Sequence, residues 1–107
     1  MKSKPVYPLD SVAADLRAAI AHYSTWRTDA EAHLIGKYEE TVSWIAWNPD
    51  FFPRIFGPVQ RAILKHSYYI VYFLQEEDRS IVLAVLDGRM EPRAIQKRVS
   101  TRSRTRR

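Results

Sequence analysis

Two apolar segments in the second half of the chain constrain its fold more than any other feature. Residues 67–74 and 80–86 are rich in β-branched and aromatic side chains and lack the polar alternation of a half-exposed strand. Segments of this kind are typical of central strands that are buried on both faces. Only the polar residues 75–79 separate them, which predicts an antiparallel hairpin at the centre of a sheet.

Two amphipathic segments precede this hairpin. Apolar residues at three- and four-residue spacing predict a first helix, which Asp10 or Ser11 can cap. A second helix is predicted from near Thr28 or Asp29 to about Trp47, where a following proline ends it. The short join between them favours an antiparallel helical hairpin. The predicted apolar faces are Val12, Leu16, Ala19, Ile20 and Tyr23 in the first helix and Ala30, Leu34, Tyr38, Val42 and Ile45 in the second.

Residues 48–58 form a connector with three prolines, one glycine and three phenylalanines. The prolines and the glycine predict turns. Because Phe51, Phe52 and Phe56 are large apolar side chains, we expect the connector to be packed against the core rather than to be a flexible linker.

Two further strands complete the expected sheet. Val6 and Tyr7 lie between prolines, which predicts a short strand at a sheet edge. Residues 59–65 mix apolar and basic side chains and predict a strand before the central hairpin. The resulting order is β-α-α-β-β-β, without internal repeats. It predicts an α+β domain over residues 1–95, in which a helical hairpin covers a small, mostly antiparallel sheet.

The positive charge is concentrated at the end of the chain. The formal net charge is +5, but residues 1–96 hold 11 basic and 12 acidic residues, a charge of −1. Residues 97–107 hold six basic residues, no acidic ones and a single apolar residue, Val99. We therefore expect residues 96–107 to be a flexible basic tail that folding does not require. It is either a nucleic-acid-binding arm or a solvated end that orders against an acidic partner.

Several kinds of site are not indicated by the sequence. There is no cysteine, and the three glycines are isolated, so no phosphate-binding glycine loop is present. His22, His33 and His66 fall in three different predicted elements, which gives no metal-ligand spacing. We expect no metal and no cofactor. No apolar run has the length of a membrane span or a signal peptide, so the expected location is the cytoplasm.

Basic residues in the sheet half are the main candidates for binding. Arg61 and Lys65 would share one strand face, with Ile63 between them. Such a surface fits RNA phosphates or acidic partner residues, although charges on an edge strand also serve solubility. Trp44 and Trp47 are three residues apart and are expected in the core; if exposed, they would mark a partner surface. The binding candidates are Arg54, Arg61, Lys65, Arg79, Arg89 and Arg93.

Four stretches carry a family pattern through their order and spacing. They are Asn48-Pro49-x-x-Phe52-Pro53, Val59-x-Arg61-Ala62-x-Leu64-Lys65, Tyr69-x-Val71-Tyr72 and Val82-Leu83-Ala84-Val85-Leu86-Asp87-Gly88-Arg89-x-Glu91-Pro92. Together with the element order, they resemble the RelE/ParE superfamily of toxins from bacterial toxin–antitoxin systems. The ParE-like, or plasmid stabilisation, branch is the most similar. The resemblance covers about residues 6–93 and implies a growth-inhibiting toxin that a cognate antitoxin holds inactive.

The resemblance leaves three functions open. ParE-like members inhibit DNA gyrase by binding, whereas RelE-like members cut messenger RNA on the ribosome, often with a C-terminal Tyr or His. This chain has no Tyr or His after Tyr72, and Asp87 and Met90 replace the family's usual His and Arg. As a ribonuclease it would use Arg61, Lys65 and Arg89 as cations, without an evident base. Inhibition by binding therefore ranks above catalysis, and a non-toxic relative with the same fold is the third alternative.

Overall fold

Five strands and three α-helices make up the computed structural model, which describes residues 3–106. The strands form one sheet in the order β1-β5-β4-β3-β2, and the architecture is α+β, as the sequence predicts. None of the described helices is both long and apolar enough to cross a membrane. The elements are β1 Val6–Pro8, α1 Ser11–Tyr23, α2 Ala30–Trp47, a 3₁₀ helix Pro49–Phe51, β2 Arg54–Phe56, β3 Val59–Ile63, β4 Tyr69–Gln75, β5 Ser80–Asp87 and α3 Pro92–Thr105.

The predicted central hairpin is confirmed. β4 and β5 pair antiparallel from Tyr69 opposite Asp87 to Gln75 opposite Ser80. The pairing shifts by one residue in the middle, so that Leu83 of β5 has no partner in β4. Because the extra residue changes the alternation of side chains, this bulge places Leu83 and Ala84 on the same face of the sheet. β1 is a short edge strand, as predicted, and runs parallel to β5.

The two faces of the sheet are covered by different helices. The helical hairpin α1–α2 covers one face, where Leu34 and Ile45 meet Phe73 and Val82 in a cluster of fully buried side chains. Full burial of such a side chain contributes about 1.5–3 kcal/mol. The helix bounds confirm the expected hairpin, although the Asp10 side chain makes no capping hydrogen bond to α1.

The connector between α2 and β3 is more structured and less buried than expected. It contains the 3₁₀ helix and an additional edge strand, β2, which pairs antiparallel with the start of β3. The buried Gln60 side chain fixes it by donating to the carbonyls of Pro49 at 2.7 Å and Phe52 at 2.9 Å. Phe52 packs edge-on against Phe73, but Phe51 is 76% exposed, so the prediction that it is buried is wrong.

The prediction of a flexible tail over residues 96–107 is wrong for its described part. Residues 92–105 form α3, whose start is capped by the Glu91 carboxylate, an acceptor for the Ala94 N–H at 3.1 Å. Ile95 and Val99 lie one helical turn apart and are buried against the face of the sheet opposite the helical hairpin. These two apolar residues bury one side of the helix against the sheet. Residues 1, 2 and 107 lie outside the described part, so the structure does not address Arg107 of the predicted tail.

An ion pair between α1 and α3 covers the part of the β5 edge that lies beyond the end of β1. β1 stops opposite Val82, so the following main-chain groups of β5 have no strand beside them. The Arg102 guanidinium donates to the Asp15 carboxylate at 2.5 and 3.0 Å and to the Leu83 carbonyl at 3.1 Å. Asp15 in turn accepts from the Val85 N–H at 3.0 Å. The two side chains thus satisfy main-chain groups that a neighbouring strand would otherwise pair.

Candidate partner-binding site

A groove of about 270 Å³ lies between α2, the 3₁₀ helix and the end of β3. Its walls are mainly aromatic and apolar, and lysines and a glutamate stand at its rim. The lining residues are Lys37, Glu40, Thr41, Trp44, Trp47, Phe51, Phe52, Ile63 and Lys65. A concave site of this kind, apolar with a few polar groups, is typical of a binding site.

The tryptophans of α2 form the helical wall of this groove. Trp44 is 54% exposed and Trp47 is 47% exposed, and their rings meet edge to face at 5.6 Å. The expectation that they belong to the core is wrong. Their exposure instead meets the condition under which the sequence marks them as a partner surface.

Helical spacing explains why these tryptophans are left outside the core. The core face of α2 is already filled by Leu34 and Ile45, which are fully buried. Residues 37, 40, 44 and 47 recur at three- and four-residue spacing and therefore form a separate stripe. Because that stripe also carries Lys37 and Glu40, which form an ion pair at 3.5 Å, its mixed composition was a sequence signal of exposure.

The opposite wall of the groove includes an unpaired strand edge. β2 pairs only with Val59 and Gln60 at the start of β3, and the Arg61 N–H donates to the Pro53 carbonyl at 3.1 Å. Leu64 donates its N–H to Tyr69 in β4. Since main-chain groups alternate between the two sides of a strand, the N–H and carbonyl of Ile63 face outward, next to the groove. An extended partner segment could pair with them.

The six predicted binding residues do not form one surface. Lys65 lines the groove, but it lies in the turn after β3, which ends at Ile63. His66 follows with a positive φ of 64°, so the predicted strand face shared with Arg61 does not extend to Lys65. Arg54 and Arg61 are exposed on β2 and β3.

The remaining three candidates lie in other regions. Arg79 is in the β4–β5 turn and pairs with Glu76 at 2.8 Å, at the end of the hairpin opposite to Asp87. Arg93 is exposed in the first turn of α3. Arg89 lies in the β5–α3 loop and belongs to an aromatic cluster at the other end of the hairpin.

Arg89 is held by aromatic rings and by a carboxylate. Its guanidinium lies 3.9 Å from the centre of the Tyr68 ring and 5.6 Å from that of Trp26. It also donates to Asp87 at 2.8 and 3.1 Å. These hydrogen bonds lower the pKa of Asp87 and raise that of Arg89. Asp87 therefore neutralises Arg89, one of the three cations expected of a ribonuclease.

The comparisons with known proteins support the fold. No family model matches this chain, and no curated protein matches it. Among solved structures, it is similar to a chain of the structure described as "Chromosomal ParDE TA system from P. aeruginosa", with a TM-score of 0.66 and 16% sequence identity. The match covers 77% of this chain and 92% of the other. The fold that the resemblance implies is thus confirmed.

Proposed function

We propose that this protein is the toxin of a type II toxin–antitoxin system, of the ParE kind, and that a cognate antitoxin neutralises it by binding the aromatic groove. The fold similarity to a chain of a ParDE system supports the class of protein. The observation that carries the proposal for the antitoxin site is the exposure of Trp44 and Trp47 beside an unpaired strand edge. A contiguous exposed apolar patch of this kind, rimmed by polar residues, often marks a protein–protein interaction site.

The antitoxin would use both walls of the groove. Apolar side chains of an antitoxin segment would cover the tryptophans, while its main chain could pair with Ile63 at the β3 edge. Lys37 and Lys65 at the rim would attract acidic side chains of that segment and so orient it. This arrangement requires no change in the core, because the tryptophans make no part of it.

The proposed target is DNA gyrase, which the protein would inhibit by binding to it. The protein would therefore act in the cytoplasm. Ribosome-dependent RNA cleavage has less support. Arg89 is paired with Asp87, and Lys65 lines the groove, whereas Arg61 lies opposite Tyr72 in the middle of the sheet. One of the three cations is thus already paired with a carboxylate, which weakens its use in stabilising a developing charge.

Expression without a partner tests the class of protein. We expect growth arrest at verified soluble levels and relief of that arrest on co-expression of the antitoxin encoded beside it. The purified protein should inhibit supercoiling by gyrase and leave messenger RNA intact on ribosomes. Harmless overexpression would contradict the toxin assignment, and message cleavage without gyrase inhibition would favour the RelE-like alternative.

Substitution of a tryptophan tests the groove separately. A central aromatic anchor of an interface contributes about 2 kcal/mol or more, so Trp44→Ala should weaken antitoxin binding by about 30-fold or more. Trp26→Ala is the matched control, because Trp26 is equally exposed at 53% but lies outside the groove. Titration calorimetry with the antitoxin measures both. Equal affinity of the two variants would contradict the groove assignment while leaving the toxin assignment intact.

A further inference from the structure

α3 carries exposed positive side chains that form no ion pair in the described structure. Arg93, Lys97, Arg98 and Arg104 are exposed, and within residues 3–106 none of them forms an ion pair. The two other arginines described in this region differ, because Arg102 pairs with Asp15 and Arg106 pairs with Glu76. The helix itself contains no acidic residue.

Helical geometry places three of these cations in one row. At about 100° per residue, Arg93, Lys97 and Arg104 project within about 40° of one another. The docked side chains Ile95 and Val99 lie on the opposite side and are buried in the sheet cluster. The row extends over about 16 Å along the helix, from a rise of about 1.5 Å per residue.

We propose that this face of α3 is a binding surface for the phosphate backbone of duplex DNA, a property that goes beyond toxin–antitoxin pairing. A row of about 16 Å spans about five base-pair steps of 3.4 Å. Arginine guanidinium groups match phosphate geometry, since they can donate two hydrogen bonds at once. The exposed polar residues Gln96 and Thr101 flank the row and are of the types that contact phosphates and sugars.

The chemistry of the face favours duplex DNA over other polyanions. A protein partner would need an apolar anchor at the centre of its interface, and the outer row of α3 has none. A membrane-surface helix would need to insert its apolar face, but Ile95 and Val99 are already buried. Single-stranded nucleic acid is bound through aromatic stacking platforms, and α3 contains no aromatic residue.

The experiment measures binding of the full-length protein to a short labelled DNA duplex by fluorescence anisotropy as a function of salt. Three phosphate contacts predict a slope of about −2.7 in log K against log salt, or about a 40-fold loss of affinity between 50 and 200 mM salt. The Lys97→Gln/Arg104→Gln variant should reduce this slope to about −0.9. The control Arg17→Gln/Arg27→Gln makes the same change in net charge outside α3, since Arg17 is exposed in α1 and Arg27 is exposed between α1 and α2. It should keep the parental slope.

Four results would overturn the proposal. The first is that the parent protein shows no salt-dependent binding to the duplex, and the second is that Lys97→Gln/Arg104→Gln and its control give equal slopes. The third is that the protein binds single-stranded DNA more tightly than the duplex. The fourth is that it binds polyglutamate or anionic phospholipid vesicles but not the duplex. Since Lys97 and Arg104 are exposed, the variant should retain the parental melting temperature. The alanine pair Lys97→Ala/Arg104→Ala should reduce the slope equally and checks that the loss does not arise from glutamine.

Discussion

Replacement of Arg102 by glutamine should destabilise the fold severely, because Arg102 joins α3 to both α1 and β5. The Asp15 side chain is 7% exposed and the Arg102 side chain is 19% exposed. Without the guanidinium, the buried carboxylate keeps only the Val85 N–H as a partner, and the Leu83 carbonyl loses its donor. The shorter glutamine side chain cannot supply the same set of hydrogen bonds or the charge.

The expected loss follows from the cost of an uncompensated buried charge. Removal of one partner of a buried ion pair typically costs about 3–5 kcal/mol, out of a total stability of about 5–15 kcal/mol for a domain. At about 4–8 °C per kcal/mol for a domain of this size, we expect Arg102→Gln to lower the melting temperature by at least about 12 °C. Removal of residues 97–107 should cost more, because it also deletes the buried Val99.

Urea unfolding and thermal melting of four variants test this reasoning: Arg102→Gln, Arg104→Gln, the double variant Asp15→Asn/Arg102→Gln and the protein without residues 97–107. Arg104→Gln is the matched control on the outer face of the same helix and should change stability by less than about 0.5 kcal/mol. The double variant Asp15→Asn/Arg102→Gln should recover part of the loss, since it no longer buries a charge. A loss below about 1 kcal/mol for Arg102→Gln would refute the account of a buried pair, as would full folding stability after removal of residues 97–107.

Three further substitutions test local features. Burial lowers the pKa of His33 from its ordinary value of 6.5, and its Nε2 has no partner in the described structure. The unfolded chain therefore binds a proton at this histidine more readily than the folded protein does. As the pH falls below about 6.5, the free energy of unfolding should decrease by up to about 1.4 kcal/mol per pH unit. Urea unfolding across this range should show a flatter dependence for His33→Gln, and an unchanged slope would contradict the assignment. Gly88→Ala should destabilise by about 1–3 kcal/mol, because its Cβ would lie 2.6 Å from Ile70 Cδ1 and 3.2 Å from the Tyr68 carbonyl oxygen, a main-chain atom that cannot rotate away. A neutral effect in thermal melting would contradict this reasoning. Gly36→Ala in α2 meets no atom within 4 Å and should stabilise by about 1 kcal/mol, so a loss of stability there would indicate a contact that the structure lacks.

The candidate groove was only partly predictable from the sequence. The sequence marks Trp44 and Trp47 as residues that would form a partner surface if exposed, but helical spacing favours a position in the core. The periodicity of α2 allowed either placement, because a tryptophan stripe and a leucine stripe both satisfy helical spacing. Only the packing of Leu34 and Ile45 against the sheet decides which stripe is buried.

The basic candidates show a second limit of sequence reasoning. Residue type groups Arg79 and Arg89 with the other candidates, yet the register places them at opposite ends of the β4–β5 hairpin. Each is paired with a carboxylate close in sequence, Glu76 and Asp87. Charge counting cannot show such pairing, because it depends on loop conformation.

The sequence alone predicts those helices and strands whose formation depends on residues close together in the chain. The central hairpin, the two amphipathic helices and the short edge strand follow from alternation, spacing and prolines, which act over a few residues along the chain. The order of these elements was enough to identify the α+β class, and it contributed to a resemblance whose fold the structure confirms.

Only the tertiary structure determined that the C-terminal segment is a docked helix. By composition, residues 97–107 have too few apolar side chains to fold alone, and that argument remains valid for the isolated segment. In the fold, Val99 enters a surface that β5 and its bulge provide, and Arg102 reaches Asp15, 87 residues away in sequence. A helix stabilised by contacts so distant along the chain cannot be recognised from local pattern, because its stability comes from the surface it covers.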